Sequence, residues 1–173
     1  MNRNELIQAI KDANIKTERA PHLLKTEVLK QVWDEHQAKQ EQPIPTEEED
    51  KHNCTVKALT VAFDIPYNEA YAFARDHFNR KQNKGVRTIE ILPTFESGEV
   101  LGKKTTPVAT KHEYKAIGEG TITRKMTLKV FARVNNEGTF YVLVRNHALV
   151  IKDGVIMDST SENTRLLNAF KVA

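Results

Sequence analysis

Residues 52–63 read HNCTVKALTVAF, and the spacing of their apolar side chains decides the class of fold. Asn53 is a favourable helix N-cap, and Cys54, Ala58 and Val61 then recur at helical intervals. The pattern predicts a buried helix that carries Cys54 in its first turn. Unpaired amides and the helix dipole favour negative charge at that end, so they favour the thiolate form of the cysteine. Cys54 is therefore a candidate nucleophile, with a packing role as the alternative because free cysteines are commonly buried.

A second informative stretch lies at residues 139–158, which read TFYVLVRNHALVIKDGVIMD. The alternation of side chains predicts strands, and the Asp153-Gly154 pair suits a primed turn between two antiparallel strands. His147 opens one strand and Asp158 closes its neighbour, so the carboxylate is expected within a residue or two of the imidazole. A carboxylate there can hold the ring in one orientation. The ring can then deprotonate the Cys54 thiol, provided that the cysteine helix packs on this sheet.

Three segments of the chain together resemble a known superfamily. They are NCTVKALTVAFDIPYNEAY, RKQNKGV and GTFYVLVRNHALVIKDGVIMDS, and they place Cys, His and Asp in that order. This arrangement resembles the papain-like cysteine peptidase superfamily in its minimal form, as in bacteriocin leader peptidases, and more narrowly a group of small phage-encoded proteins. The resemblance covers about residues 51–173. It implies an α+β fold in which a helix carrying Cys54 packs on an antiparallel sheet carrying His147 and Asp158.

The resemblance also implies a role for each of these residues. Cys54 would be the nucleophile, His147 the general base and then acid, and Asp158 the residue that orients the imidazole. The superfamily commonly places an oxyanion-stabilising Gln six residues before the cysteine. Glu48 stands there instead, and an ionised carboxylate cannot donate a hydrogen bond. The backbone amide of Cys54 remains available, and the side chains of Asn53 and Gln42 are the conceivable second donors.

The first 50 residues predict a separate small module and a linker. Asn4 and Thr26 are expected to cap two amphipathic helices within residues 1–40, whose apolar faces cover each other. This pattern is weakly similar to SAP and LEM-like modules, some of which bind nucleic acid and some only protein. An acidic linker with two prolines is expected at residues 41–50, and the main domain at 51–173.

The remaining segments give weaker signals. Pro66 fits the first turn of a second helix, whose apolar stripe comprises Ala70, Tyr71, Ala74 and Phe78. Basic residues then gather between positions 75 and 87, where a solvated helix face is expected and a groove for an acidic substrate or nucleic acid is the alternative: Arg75, Arg80, Lys81, Lys84 and Arg87. Residues 88–126 show no clear periodicity. Thr127 is expected to cap a short helix that ends before Gly138.

Composition limits the classes of function. The chain has 173 residues and one cysteine, so an internal disulfide and a paired-cysteine zinc site are both excluded. No Gly-rich phosphate loop or metal-binding motif occurs, so no cofactor or metal is expected. Five histidines besides His147 lie in polar or mixed stretches and are expected at the surface, with the one beside Cys54 worth testing: His22, His36, His52, His77 and His112.

Charge and hydropathy bear on location and partners. Residues 51–173 hold nineteen basic against twelve acidic side chains, which is compatible with an acidic partner. No secretory signal or membrane span is visible, so a cytoplasmic location is expected, that of the host if the protein is phage-encoded.

The leading hypothesis is an intracellular thiol hydrolase or acyltransferase that acts on a peptide, isopeptide or related amide bond, such as one in a host protein. The alternative is a catalytically weak or inactive papain-like fold that serves as a binding module for a host protein or nucleic acid.

Overall fold

The computed structural model describes most of the chain and divides it into two compact units. The units are Met1–Ile44 and Pro45–Ala173. Backbone is described for residues 1–13, 15, 17, 19–40, 43–116 and 120–173, and side chains for these residues except 39–40, 114–116 and 120.

The first unit contains two helices that share one apolar core. Helix α1 spans Arg3–Asp12 and α2 spans Thr26–Gln40, with a 3-10 turn at Pro21–Leu23 between them. The buried side chains of this unit come from both helices and are Leu6, Ile10 and Leu29. The two amphipathic faces therefore cover each other, as the periodicity predicts.

The caps of these two helices differ from the prediction. Asn2, and not Asn4, caps α1: its side chain accepts a hydrogen bond from the N–H of Glu5, whose carboxylate accepts one from the N–H of Asn2. The reason is that Glu5 stands three residues after Asn2, which completes a reciprocal capping box. Thr26 is the first residue of α2 rather than the residue before it.

The second unit begins with three helices. Helix α3 spans Cys54–Phe63, α4 spans Tyr67–Phe78 and α5 spans Thr88–Glu96. The predicted apolar stripe of α4 is confirmed, because all four of its members are buried: Ala70, Tyr71, Ala74 and Phe78. A fourth helix, α6, spans Leu128–Val134 and is capped by the Thr127 side chain as expected, with Val130 N–H as the donor.

The second unit also contains the strands β1 Glu99–Val100, β2 Lys103–Pro107, β3 Lys111–Ala116, β4 Gly120–Lys125, β5 Thr139–Val144, β6 His147–Lys152, β7 Val155–Ile156 and β8 Leu166–Val172. Six of them form an antiparallel sheet in the order β1-β2-β8-β5-β6-β7. Strands β3 and β4 form a separate two-stranded ribbon. The unit is thus an α+β fold on an antiparallel sheet.

The sheet separates two apolar cores. Helices α3, α4 and α5 cover one face, where Phe95 of α5 stacks on Tyr141 of β5 with ring centroids 4.4 Å apart. Helix α6 covers the other face, where Phe131 meets Phe140 edge to face. β5 is buried on both faces because its alternate residues enter different cores.

Two expectations about charge are corrected by one buried ion pair. Arg80, expected on a solvated face, and Asp50, expected in a linker, both have fully buried side chains, with the guanidinium 2.6 Å from the carboxylate. The carboxylate of Asp50 also accepts hydrogen bonds from the Tyr67 hydroxyl and the Asn83 N–H. A buried charge must be paired, and these contacts anchor Asp50 in the second unit, which begins at Pro45.

Residues 88–126, which show no clear periodicity in the sequence, contain α5 and the first four strands. Pro93 stands inside α5, and both faces of the β3–β4 ribbon carry polar side chains, so neither element has a clean apolar repeat. None of the described helices is long and apolar enough to cross a bilayer.

Candidate active site

Cys54 is the first residue of α3, and its free thiol is half-buried. Helix α3 packs on β6, the strand that His147 begins. Asn53 occupies the cap position, but its side chain makes no cap hydrogen bond. Its Nδ2 atom donates to the carbonyl of Glu47, 2.9 Å away. Asn53 is therefore the N-cap residue, as predicted, but its side chain accepts no hydrogen bond from the first turn of the helix.

His147 and Asp158 lie in contact, and the hairpin between them follows the predicted register. Ile151 pairs with Ile156 around a turn in which Asp153 and Gly154 both have positive φ, as a primed turn requires. The Nε2 atom of His147 lies 3.2 Å from Oδ2 of Asp158.

Two details of this contact differ from the sequence expectation. Strand β7 ends at Ile156, so Asp158 lies two residues beyond the strand that it was expected to close. Nε2 of His147 is buried and its contact is not aligned as a regular hydrogen bond, which is common in sites without substrate.

Thr160 holds the Asp158 carboxylate from the other side. Both its N–H, at 2.8 Å, and its hydroxyl donate to Oδ1 of Asp158. Partial burial opposes ionisation, but the Thr160 hydrogen bonds and the His147 contact outweigh it, so the pKa of Asp158 lies below its ordinary value. Thr160 was not predicted as part of the site. The spacing Asp-x-Thr could have indicated it, because an aspartate commonly accepts hydrogen bonds from the second residue after it.

Two cavities meet at the cysteine and the histidine. The first, here the Val86 cavity, measures about 330 Å³, and the second, the Met157 cavity, measures about 430 Å³. Three residues line both cavities: Cys54, His147 and Ala148. The fold therefore brings the predicted nucleophile and the predicted base to one place, with Asp158 in the wall of the Met157 cavity.

The walls of the two cavities differ. The Val86 cavity has a largely apolar wall to which α5 and β5 contribute, and its lining includes Gly85, Val86, Arg87, Ile91 and Leu143. The Met157 cavity combines polar and apolar groups from α3 and from the segment after β7, and its lining includes Glu47, Lys57, Val61, Met157 and Asp158. The wall at residues 85–91 was not predicted, because the sequence shows no clear periodicity from residue 88 onward.

Of the candidates for a second oxyanion donor, Glu48 is exposed and Asn53 lines the Met157 cavity together with Cys54. The Nδ2 atom of Asn53 donates one of its two N–H groups to the carbonyl of Glu47, so the other remains a possible donor. Gln42 lies outside the described residues. The backbone N–H of Cys54 is at the start of a helix, where no intrahelical acceptor is available, so it can serve an oxyanion.

A fully buried tyrosine lies beneath the cysteine, on the same face of the sheet. Tyr141 has no exposed surface, and this burial raises the pKa of its hydroxyl. The nearby Cys54 raises the pKa further, and a hydrogen bond with Thr55 lowers it by less. Tyr141 lies on the α3 side of the sheet because side chains alternate along β5. This alternation was predicted from the sequence, but the closeness of Tyr141 to the thiol was not.

The other candidate groups lie elsewhere. His52 is exposed in a left-handed backbone conformation and lines neither cavity. Among the described residues no group of three or more His, Cys, Asp and Glu side chains is arranged to hold a metal ion.

Comparisons of the chain with protein-family models, with curated proteins and with solved structures give no match.

Proposed function

We propose that the protein is a papain-like thiol hydrolase or acyltransferase of the phage type that acts in the host cytoplasm on a peptide, isopeptide or related amide bond. One observation carries the proposal: Cys54, at a helix N-terminus, and His147 line the same two cavities, and the carboxylate of Asp158 lies 3.2 Å from the histidine ring. A nucleophile, a base and an orienting carboxylate at one site are the components of a cysteine triad.

The assignment of the ring nitrogens follows from this contact. Because Nε2 of His147 faces Asp158, Nδ1 is the nitrogen that takes the proton of the Cys54 thiol. The sulfur then bonds to the carbonyl carbon of the substrate, and the carbonyl electrons move to the oxygen. The proton on Nδ1 passes to the leaving amine as the carbon–nitrogen bond breaks, which leaves an acyl thioester on Cys54.

Release of the thioester completes the cycle. His147 removes a proton from water or from an acceptor amine, which attacks the thioester carbon. The carbon–sulfur bond breaks, the thiol is regenerated, and the product is a carboxylic acid or a new amide. The N–H of Cys54 is one oxyanion donor, and the second N–H of the Asn53 side chain is the candidate for the other. Loss of one such donor slows turnover by about 10²- to 10³-fold.

The alternative function is a binding module on an inactive form of the same fold, for a host protein or nucleic acid. The observation in its favour is that neither of two positions considered for the oxyanion donor offers an unengaged side-chain amide. Glu48 carries a carboxylate, and the Nδ2 atom of Asn53 is already hydrogen-bonded to Glu47.

Alkylation of the single cysteine by iodoacetamide separates the two functions. The enzyme proposal expects Cys54 to react at neutral pH much faster than an ordinary thiol, and His147→Ala to abolish the enhancement. His52→Ala is the matched control, since this exposed histidine is close in sequence to Cys54 but lines neither cavity. Slow alkylation that is indifferent to His147→Ala would leave only the binding module.

A further inference from the structure

The β3–β4 ribbon is a polar element that stands apart from the six-stranded sheet. None of its described side chains belongs to either apolar core of the second unit. Apolar burial therefore does not explain the ribbon, and its surface is available to a partner. The exposed side chains are Lys111, Glu113, Thr121, Thr123, Arg124 and Lys125.

Positive charge is concentrated in the stretch that contains the ribbon. Residues 103–133 hold eight Lys and Arg against two Glu, a net charge of +6 in a chain whose total is +3. The rest of the chain is therefore net negative. A charge asymmetry of this kind indicates a surface for an anionic partner, because the field of clustered cations attracts anions from solution.

Two lysines stand directly opposite each other at the base of the ribbon. Lys111 of β3 pairs with Lys125 of β4, and both side chains are exposed. Residues in such a pair lie on one face with Cβ atoms about 5 Å apart, and like charges there destabilise the pairing. Neither lysine makes an ion pair with a described residue. An anion bound at this face relieves the repulsion.

Arg165 adds a third cation to the same face. It pairs with Thr127 in a bridge that continues the ladder past Lys125. Met126 and Leu166 bury their side chains in the core under α6, so alternation directs Lys125 and Arg165 to the opposite, outer side. Arg165 is exposed, and no ion pair of its guanidinium is found within the described part of the chain. Lys111, Lys125 and Arg165 are here called the basic face.

The surroundings of the basic face favour a phosphate backbone as its partner. No large exposed apolar side chain lies on the described part of the ribbon, whereas protein interfaces and membrane-surface contacts both use apolar anchors. Thr121 and Thr123 alternate with Lys125 along β4, so their hydroxyls lie on the same face. Cations and hydroxyl donors without apolar anchors are what proteins use to hold the phosphates of nucleic acid.

We propose that the basic face binds the phosphate backbone of duplex nucleic acid, with the β3–β4 ribbon lying along a groove. The major groove is wide enough to admit a two-stranded ribbon. Contacts to phosphates carry no sequence information, so the binding is independent of sequence. The inference goes beyond the proposed function, because none of the three residues of the basic face lines the cavities at Cys54.

Fluorescence anisotropy with a labelled duplex of about 20 base pairs tests this inference. We expect a Kd of about 10⁻⁶ to 10⁻⁴ M at low salt, which rises steeply with salt concentration. The triple variant Lys111→Gln, Lys125→Gln and Arg165→Gln should bind at least about tenfold more weakly. Its plot of log affinity against log salt should be less steep by about 3, because three phosphate contacts are lost.

A second triple variant removes the same charge elsewhere in the unit. Lys51→Gln, Lys81→Gln and Lys84→Gln replaces three exposed lysines, and the N–H of Lys51 donates to Asn83 in the turn that carries the other two. The acidic run at 46–50 precedes Lys51 and offsets these charges. This variant should change the affinity by less than about threefold.

Removing the acidic side chain of the basic face should have the opposite effect. Glu113 is exposed two residues after Lys111 on the same face, so its carboxylate repels a phosphate backbone. Glu113→Gln should tighten binding by about two- to fivefold. Misfolding cannot produce such a gain. Glu137→Gln, at an exposed position outside the ribbon, is the matched control and should leave the affinity unchanged.

Four results would overturn the inference. They are no binding at about 100 µM protein in low salt, equal weakening in the two triple variants, no gain with Glu113→Gln, and tighter binding to poly-glutamate than to the duplex. The last result would assign the basic face to an acidic protein. The alkylation rate of Cys54 should be the same in all of these variants, so the test is separate from that of the proposed function.

Discussion

Oδ2 of Asp158 lies 3.2 Å from Nε2 of His147, although the aspartate belongs to no strand. The contact is possible because the β6–β7 hairpin returns the chain along β6 and the Met157 N–H bonds to Val150 before the strand pairing ends. Continued in the same register, Asp158 comes opposite Leu149, two residues from His147 along β6. The aspartate side chain covers this distance and brings a carboxylate beside the histidine ring.

Replacing this carboxylate by an amide should slow the chemistry of Cys54. We expect Asp158→Asn to reduce the iodoacetamide rate at least about tenfold, because the amide carries no charge to stabilise the imidazolium and can hold the ring in the wrong tautomer. Glu162→Gln is the matched control in the same segment, since its exposed carboxylate pairs with Lys129 and not with the histidine. Equal rates in Asp158→Asn and Glu162→Gln would exclude an orienting role for Asp158.

Thr160 should control the pH at which Asp158 loses its charge. Thr160→Val removes the hydroxyl hydrogen bond and keeps the one from the amide, so the pKa of Asp158 should rise toward its ordinary 3.8. A carbon-13 NMR titration of the Asp158 carboxyl measures this shift directly. An unchanged titration would show that the hydroxyl does not stabilise the charged form.

The same substitution predicts the sign of a stability change with pH. A carboxyl whose folded-state pKa is lowered stabilises the fold above its ordinary pKa, and the contribution is lost as the pH falls through the folded-state value. The difference in unfolding free energy between the unmodified protein and Thr160→Val should therefore be largest well above the ordinary pKa of 3.8 and shrink as the pH falls below it. Urea unfolding above and below this pKa measures it, and a difference independent of pH would point to lost packing alone.

The sequence predicted the parts of the site that depend on local pattern. The Cys54 helix and the Asp153-Gly154 turn follow from helical spacing and turn chemistry, and both are confirmed. The register of the turn then limits where Asp158 can lie relative to His147. The packing of this helix on the sheet brings the thiol to the histidine. It is a tertiary contact, so no local pattern in the sequence predicts it.

The parts that the sequence did not predict depend on partners distant in the chain. Arg80 and Asp50 each look like surface residues in a charged stretch, and only their pairing across thirty positions makes burial possible. Likewise, Asn53 occupies the cap position that its residue type predicts, but its Oδ1 accepts no cap hydrogen bond while its Nδ2 atom donates to the carbonyl of Glu47. Pro93 concealed α5, and with it a wall of the Val86 cavity, because proline usually ends a helical pattern.

The buried ion pair should contribute strongly to stability. Asp50→Asn leaves the buried guanidinium of Arg80 without its counter-charge, and we expect the free energy of unfolding to fall by about 3 to 5 kcal/mol. Glu48→Gln removes an exposed charge from the same acidic run and should change it by less than about 0.5 kcal/mol. Chemical denaturation measures both.

A double substitution tests whether the unpaired charge causes the loss. Asp50→Asn combined with Arg80→Met removes both charges, so stability should recover much of the loss seen with Asp50→Asn alone. A double variant that is as unstable as the sum of the two single variants would instead assign the effect to packing and to the hydrogen bonds from Tyr67 and Asn83.

A side chain at Gly154, in the turn of the β6–β7 hairpin, should lower the stability of the protein. A Cβ atom there would lie 3.2 Å from the carbonyl oxygen of Ala132 in α6, and the residue has a φ of +75°. Gly154→Ala should therefore destabilise the protein by about 1 to 3 kcal/mol. Gly102→Ala is the matched control, because its φ is +72° but nothing lies within 4 Å of the added Cβ. Urea unfolding measures the loss of unfolding free energy in both variants, and the larger loss in Gly154→Ala reports the contact between the turn and α6. Equal losses would mean that backbone conformation alone requires glycine at position 154.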